Sequence, residues 1–521
     1  MMTTQTISSE DRQHYSDYYF NLLKKRLDWA IDYLRENRKP VAIRERMQVW
    51  LQILRECRRP ELHSDAIALI SLLHPWPLQW GYWADWEQEL SFAAKMAQMP
   101  EQKAELLTYL ADMIFLTGKR DDALNFGRQA FSYAWSTNAI VPLARSGVIV
   151  SAILLENQEG QAATDVLNIV EQEIAKREAQ NKLDAQVIIA RACTIPYKAR
   201  RLRLEGRWDV ALALLNEMIE RLESIPGIDP HKLADCYSTR SVFYWLQGES
   251  LSAIGDLDQA INLVSQAGYE FAENTYRGNL GLYYWAIGEL KQAEKILFSC
   301  IRMAEQSRIY YRQIYDIGNL ALVFLSQGRI QDALVMSERH VALSKDHSSP
   351  AEKMRALDNY AIIKFYTEDY LYAQAALEQN VPVYETQTVK TNIIIQLVNI
   401  SRCYTALGKS ALAINAAEKA FHYAEGQGYP AAKIITLRCL AEIRTPEQSR
   451  HLLQQALALA CQCHHRLDEA ACLLSLAGTE ANENERTRLW QEGSQILDRI
   501  GASAWLEGFS PQHLPKIPLV Y

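Results

Sequence analysis

Apolar residues recur at three- and four-residue spacings along most of this chain, which is the pattern of amphipathic helices. Leu280, Tyr283, Tyr284 and Ile287, for example, share one face of a predicted helix. A glycine follows them, and a second apolar face begins within residues 291–303. Glycine ends helices at little cost because it adopts the left-handed backbone freely. Each such stretch is therefore predicted to form two antiparallel helices.

The two-helix pattern repeats with a nearly fixed period. Four of the five intervals between successive turn positions are 40 residues and the other is 42. These positions are Gly206, Gly248, Gly288, Gly328, Glu368 and Gly408. A small residue lies seven positions before each turn, and an alanine lies five positions after it. Alanine at this position lets the two helix axes approach closely. A period in this range indicates stacked, equivalent units. The predicted fold class is all-α, a right-handed α-solenoid of antiparallel helix pairs.

These recurring spacings resemble those of the tetratricopeptide repeat (TPR), in the long variety seen in kinesin light chain and in bacterial signalling proteins. The clearest copies are Ser241/Tyr244/Gly248/Ala253, Gly281/Tyr284/Gly288/Ala293 and Ala321/Phe324/Gly328/Ala333. The register extends back to Gly118 and, without its glycine, to Gln158. The resemblance implies a TPR-like superhelix with eight clear units between about residues 104 and 430.

The repeats divide the chain into four predicted parts. Residues 1–75 form an N-terminal helical segment without the repeat signature, and residues 76–430 hold the array with a divergent first unit. Residues 431–507 hold degenerate capping repeats, as expected at the end of a solenoid. Residues 508–521 form a proline-rich extended tail.

The order of these parts resembles the C-terminal half of STAND-type bacterial regulators. The features that carry this resemblance are the helical segment with His14-Tyr15 and the aromatic stretch from Trp80 to Trp86 that precedes the repeats. In that family a nucleotide-switch ATPase precedes a winged helix and a TPR sensor arm. The resemblance implies a sensor or adaptor that acts with a separate ATPase or effector encoded nearby. No GxxxxGK[ST] motif occurs in the sequence, so the chain has no P-loop of its own.

Charge and composition narrow the partner class. The formal net charge is -7, but residues 1–60 carry 12 Lys and Arg against 8 Asp and Glu. No arginine-rich run or DNA-reading motif accompanies this basic segment, so solvated helix faces are favoured over contact with nucleic acid. Nine cysteines indicate reduced thiols. The N-terminus has no apolar signal, and the apolar stretch 147–155 is too short to span a bilayer, so we expect a cytoplasmic protein without membrane contact.

Candidate catalytic chemistry is sparse. No Ser/His/Asp motif, carboxylate pair or glycine-rich phosphate loop occurs, so we expect no catalytic residue, no cofactor and no enzyme activity. The one dense group of soft ligands lies at residues 461–465. On a single helix, Cys461 with His464 or His465 would suit zinc, but Cys472 is the sole further ligand nearby. We expect no metal, and a hidden hydrolase or metalloprotein is a remote alternative.

A ladder of asparagines follows the repeat, at intervals of 40 residues: Asn279, Asn319, Asn359 and Asn399. Peptide-pheromone receptors built from such repeats use asparagines to hold a peptide backbone, and this resemblance makes the four amides candidate ligand contacts. Their place beside the helix-packing positions favours a structural amide that bonds to the neighbouring helix, because a buried amide needs partners. Both interpretations stay open.

An apolar stripe is predicted on the first helix of each pair, on the side that is concave in the resembling family. It comprises Trp245, Leu282, Trp285, Leu322, Leu325 and Phe365. Exposed, such a stripe would be an interaction site, whereas a tightly wound superhelix would bury it against itself. Arg200 and Arg203 lie on the same face, where an acidic peptide, a phosphate or simply Glu205 and Asp209 would pair with them.

The tail contains three prolines, which prevent a helix and favour an extended chain. Its apolar Leu514, Ile517, Leu519 and Tyr521 predict packing against the last repeats, or occupation of a groove in its own or a neighbouring chain. The function predicted is a non-enzymatic TPR scaffold or sensor/adaptor of a bacterial signalling or regulatory system that binds a protein segment in its concave groove. The alternative is a receptor for a peptide or an oligosaccharide, belonging to a transcriptional or defence regulator.

Overall fold

The structure is a computed structural model, and it describes residues 9–37, 39–157, 159–181, 184–307, 309–347, 349–387 and 390–520. These residues form 26 α-helices and two short 3-10 helices, and within the described ranges no strand is present. One isolated β-bridge joins Ser510 and His513. None of the helices so described is long and apolar enough to cross a membrane.

The N-terminal part consists of α1 (Ser9–Glu36), α2 (Pro40–Arg44), α3 (Met47–Glu56), α4 (His63–Leu73), α5 (Trp76–Gln79) and α6 (Trp83–Met96). The sequence pattern predicts a single helix from Val41 to Cys57. This prediction is wrong, since the structure has two helices there, α2 and α3. The buried Trp50 explains part of the break: its Nε1 donates to Ile43 O over 3.1 Å, a carbonyl at the end of α2.

Eight helix pairs follow. They are α7 (Pro100–Leu116) and α8 (Arg120–Ser136), α9 (Ile140–Glu156) and α10 (Gly160–Gln180), α11 (Ala185–Leu204) and α12 (Trp208–Glu223), α13 (Pro230–Leu246) and α14 (Ser250–Gln266), α15 (Glu270–Ala286) and α16 (Leu290–Gln306), α17 (Tyr310–Ser326) and α18 (Ile330–His347), α19 (Pro350–Tyr366) and α20 (Tyr370–Thr386), and α21 (Thr391–Ala406) and α22 (Ser410–Gln427).

The turns within these pairs confirm the predicted period. Gly118 and the six turn positions from Gly206 to Gly408 all have positive φ, including Glu368 at 64°. Gln158, the remaining predicted turn, lies outside the described residues. A left-handed residue after each first helix reverses the chain, so the second helix packs back on the first. The α-solenoid of antiparallel helix pairs is thus present.

The C-terminal part consists of α23 (Pro430–Ala441), α24 (Pro446–Gln462), α25 (Arg466–Thr479) and α26 (Glu483–Ile500), followed by a 3-10 helix at Ser503–Leu506. Thr445 and Ser349 each precede a proline, a sequence pattern that predicts a helix start. The structure confirms both starts: Thr445 is the N-cap of α24, and the Ser349 side chain accepts a hydrogen bond from Glu352 N at the start of α19.

The chain divides into two compact units. The first comprises Met1–Tyr197, Arg221–Lys232 and Val264–Ala272, and the second comprises Lys198–Glu220, Leu233–Leu263 and Glu273–Tyr521. A core cluster of the second unit reaches from Trp285 to Val520. The four-part division expected from the sequence rests on its repeat pattern and stays a prediction.

In the first unit, residues far apart in sequence meet through aromatic rings. Trp76 stacks on Trp80 and on Tyr269, with 5.2 Å between ring centroids in both pairs. The Nε1 of Trp80 donates to Gly268 O over 3.3 Å. Stacked aromatic rings add to the stability gained from their burial, so the aromatic entry to the array is part of the packing of this unit.

Candidate binding groove in the second unit

The C-terminal residues lie against the first helices of the last repeats. Ile517, Leu519 and Val520 are buried, with 2%, 0% and 8% of their surface exposed. Leu514 packs on Gly478 of α25, where a Cβ would come within 2.6 Å of its side chain. We call the side chains and the glycine that contact residues 514–520 the tail groove; its described members are Phe365, Asn399, Arg438 and Gly478. The predicted packing of the tail against the last repeats is confirmed for Leu514, Ile517 and Leu519, whereas Tyr521 lies outside the described residues.

Side chains of the tail groove bind three consecutive main-chain carbonyls. Arg438 Nη2 donates to Ile517 O over 3.1 Å, and its Nη1 donates to Pro518 O over 3.2 Å. Asn399 Nδ2 donates to Leu519 O over 3.2 Å. Main-chain carbonyls are common to every residue, so these bonds hold an extended chain while buried side chains select among sequences.

A buried ion pair positions the arginine of the groove. The Arg438 and Asp468 side chains are 5% and 10% exposed and form a direct hydrogen bond. His465 Nδ1 lies 3.5 Å from the other carboxyl oxygen of Asp468. Burial alone would raise the pKa of Asp468, but Arg438 and His465 bring it below its ordinary value. Asp468 is therefore held as a carboxylate that orients the Arg438 fork toward the tail.

A second buried arginine lies beside the groove. Arg402 Nε donates to Glu442 Oε2 over 2.9 Å, and its Nη1 donates to the Tyr366 hydroxyl over 2.8 Å. The adjacent cavity has a volume of about 340 Å³, and its charged lining side chains are Arg402, Arg438, Glu442, Arg444 and Lys516. Lys516 belongs to the tail, and its Nζ lies 5.6 Å from the Phe365 ring centroid. Cations thus predominate around this cavity.

The apolar stripe is not the exposed surface that the sequence allowed. Trp285, Leu322, Leu325 and Phe365 are buried in the core cluster of the second unit, and Leu282 packs against that cluster. These five side chains instead pack within the protein itself, which is the other alternative that the sequence allowed. Burying them stabilises the fold by removing apolar area from water. Their contact with a partner stays a prediction.

The C-terminal part of the chain provides much of this cover. Trp245 stacks on Tyr283 at 4.6 Å and on His465 at 5.7 Å between ring centroids. Trp285 Nε1 donates to Ser326 Oγ over 2.8 Å, and Trp505 Nε1 donates to Ser326 O over 3.0 Å. Residues near 465 and 505 therefore lie over the stripe at α13 and α17.

The four asparagines of the ladder differ in their contacts. Asn399 Nδ2 binds the tail and also Ile395 O over 2.8 Å. Asn319 Oδ1 accepts from Arg355 Nη1 over 3.2 Å. The Nδ2 atoms of Asn319 and Asn359 are buried and have no acceptor among the described residues. Asn279 is half-buried. Among the four asparagines, and within the described residues, only Asn399 binds an extended main chain through its amide.

Arg200 and Arg203 lie on α11 without a carboxylate partner among the described residues. Glu205, the expected partner, instead pairs with Arg201 over 3.3 Å and with Arg207 over 3.5 Å. Arg200 is exposed, whereas Arg203 Nε is buried without an acceptor. Burial and the nearby Arg200 lower the pKa of Arg203 below its ordinary value. An anionic group at this position would stabilise both charges.

The cysteine and histidine group near residue 461 does not share one helix. The helix α24 ends at Gln462, and His464 has a φ of 61°, so the three- and four-residue spacing expected on one helix is wrong. Cys463 is buried beside Gly248, and His465 is buried against Trp245. In the described ranges no group of three or more His, Cys, Asp or Glu side chains is placed to hold a metal ion.

Sequence reasoning missed the charged side chains that build the tail groove. Arg438 stands between Leu437 and Cys439 in the apolar run of α23, and Arg402 stands in the similarly buried α21. An arginine on a helix that is apolar on all sides needs a buried partner. That signal identifies the residue, but its partners Asp468 and Ile517 come from distant segments.

No protein-family model matches this chain. Over 153 residues, 29% of this chain, it is 26% identical to outer dynein arm-docking complex subunit 4 of Mus musculus, of which it covers 24%. The Homo sapiens protein of that name is 26% identical over 188 residues, covering 33% of this chain and 28% of that protein. The chain therefore spans less than a third of the length of the curated relatives it matches.

Among solved structures, a Rap protein complexed with competence and sporulation factor aligns with a TM-score of 0.54. The sequences are 13% identical, and the alignment covers 69% of this chain and 98% of the Rap chain. At this identity the likeness concerns the fold alone. Together with the helix pairs and their left-handed turns, it makes the fold of this chain a tetratricopeptide-type helical solenoid.

Proposed function

We propose that this chain is a non-enzymatic scaffold or sensor/adaptor that binds a segment of another protein on its first-helix face. The observation that carries the proposal is the tail groove, where Arg438 and Asn399 bind three consecutive main-chain carbonyls of an extended segment. Side chains that bind carbonyls in this way are suited to any extended peptide with fitting apolar residues.

The system to which the protein belongs is part of the proposal. A bacterial signalling or regulatory pathway, with an ATPase or effector encoded nearby as partner, follows from the STAND-like order of the parts. The Rap structure adds support because that protein is complexed with competence and sporulation factor. Arg200 and Arg203 extend the proposed surface toward acidic residues of the partner.

Peptide selection on the intact protein tests this function. Peptides enriched from a random library on the full-length Ile517→Asp/Leu519→Asp variant, whose C-terminal residues should no longer fill the groove, are expected to bind about tenfold more weakly when Asn399→Ala is added, because one carbonyl contact is lost. Asn392→Ala is the matched control, since Asn392 is exposed on the same helix. Affinities are measured by fluorescence polarisation. Equal binding to the two variants, or no enriched peptide, would contradict the proposal.

A receptor for a small ligand, either a short peptide or an oligosaccharide, is the second candidate. The cavity of about 340 Å³ beside Arg402 and Glu442 favours it, because this volume suits a small ligand and its polar groups would orient one. Thermal shift with defined oligosaccharides separates the two candidates. A rise in Tm that Arg444→Ala removes, with no peptide binding, would favour the small-ligand receptor.

A further inference from the structure

The tail is bound in the way that a separate peptide would be bound. Residues 514–520 form no helix, and the hydrogen bonds described above reach their carbonyls from side chains of α21 and α23. Ile517 and Leu519 are buried, whereas the Lys516 side chain is exposed. Two prolines, Pro515 and Pro518, restrict the backbone and lower the entropy lost on binding.

The tail can also leave without unfolding the repeats. It follows the last helix, and Gln512 and His513, which precede the bound residues, are exposed. An extended segment held by side-chain contacts opens at lower free energy than the helices on which it packs. Its attachment to the chain, however, gives the tail a high effective concentration at the groove, so a free segment competes at a disadvantage.

We propose that residues 514–520 are an intramolecular ligand of the tail groove, and that the external partner is an extended segment with aliphatic residues separated by proline that displaces them. This inference rests on the proposed function and specifies its partner. The tail then regulates the groove, because binding of the partner requires the tail to leave. The sequence Leu-Pro-Lys-Ile-Pro-Leu-Val at residues 514–520 is the template for the partner segment.

Full-length variants with a released tail test the proposal. Ile517→Asp with Leu519→Asp places two charges at buried positions and should free the tail, while Gln512→Asp with His513→Asp adds the same charges at exposed positions. The probe is a fluorescein-labelled peptide of residues 512–520. The released variant should bind it about tenfold more tightly than the wild type and the control.

The groove itself is tested in the released background. Adding Asn399→Ala to the released variant should weaken peptide binding about tenfold, and adding Asn392→Ala should leave it unchanged. Equal affinity of the wild type, the released variant and the tail control would overturn the proposal. If library-selected peptides bind the groove but the tail peptide does not, this inference fails and the proposed function stands. If neither kind of peptide binds the released variant, the proposed function fails as well.

Proteolysis gives an independent measurement if the released variant does not fold. Lys516 is the one trypsin site within residues 509–521, and cleavage after it requires the tail to leave the groove. In the otherwise unchanged protein, Asn399→Ala should accelerate this cleavage several-fold while Asn392→Ala does not. Identical cleavage rates for these two variants and the wild type would also overturn the proposal.

Discussion

At the scale of single residues, a glycine leaves the space that a buried ion pair occupies. Gly278 on α15 faces the ion pair of Arg312 and Asp316, whose side chains are 2% and 0% exposed. A Cβ at Gly278 would lie 2.6 Å from Asp316 Oδ1 and 2.8 Å from Arg312 Cζ. Burial raises the pKa of Asp316. Arg312 opposes this rise because it donates hydrogen bonds to the Asp316 carboxylate.

We therefore expect Gly278→Ala to lower the free energy of unfolding by about 3 kcal/mol, because it separates a buried ion pair. Gly255→Ala is the matched control, since Gly255 lies on α14 and a Cβ there meets nothing within 4 Å. The control should gain about 1 kcal/mol from the higher helix propensity of alanine. Urea denaturation measures both, and an unchanged midpoint for Gly278→Ala would contradict the prediction.

Residue spacing predicted which side chains are equivalent, but it did not predict their partners. Asn319, Asn359 and Asn399 share one register position, yet of these Asn399 alone bonds to Leu519, 120 residues away. Similarly, the spacing placed Trp245 and Trp285 on one face, but one of the two rings that stack on Trp245 belongs to the distant His465. Such partners follow from tertiary packing, which a local pattern does not contain.

At the scale of elements, local chemistry was sufficient for most of the repeat. The helix pairs from Pro100 to Gln427 follow the 3.6-residue apolar pattern, and their described turns fall at the predicted left-handed residues. The pattern failed at the break between α2 and α3, where the buried Trp50 bonds to Ile43 O. The turn at Glu368 was predicted correctly, although the residue is not glycine, because the flanking positions match those of the other repeats.

Glu368 carries a backbone strain that the other turns avoid. Its φ of 64° is unfavourable for a residue with a Cβ, and the side chain is exposed. Glu368→Gly should raise the free energy of unfolding by about 0.5 kcal/mol, the relief of strain less the extra entropy of an unfolded glycine. The reciprocal change, Gly408→Ala at a φ of 73° with open space around it, should cost about 1 kcal/mol. Thermal and urea unfolding of both variants check the signs, and a loss of stability in Glu368→Gly would refute this account.

At the scale of the whole molecule, three turns of the second unit also contact the C-terminal part of the chain. Gly248 lies beside Cys463, Gly288 beside Arg466, and Gly328 beside Ala504. Gly206 and Gly408 have the same left-handed backbone, but a Cβ at either would meet nothing within 4 Å. The sequence repeat predicts one role for these glycines, whereas the structure adds close approach at three of them. How successive repeats rotate determines these contacts, and no local pattern encodes that rotation.

This difference predicts unequal costs for the same substitution. Gly288→Ala should cost about 1 kcal/mol for the left-handed backbone, as in Gly408→Ala, and about 2 kcal/mol more because its Cβ would lie 2.6 Å from Arg466 Cβ and 3.3 Å from Ile500 Cγ2. The extra cost should also appear locally. Amide hydrogen exchange of residues 463–506 is expected to accelerate in Gly288→Ala and to stay unchanged in Gly408→Ala, because only the first displaces that segment from its turn. Equal stability losses, with equal exchange, would mean that the turn glycines serve the backbone alone and that the C-terminal helices dock without them.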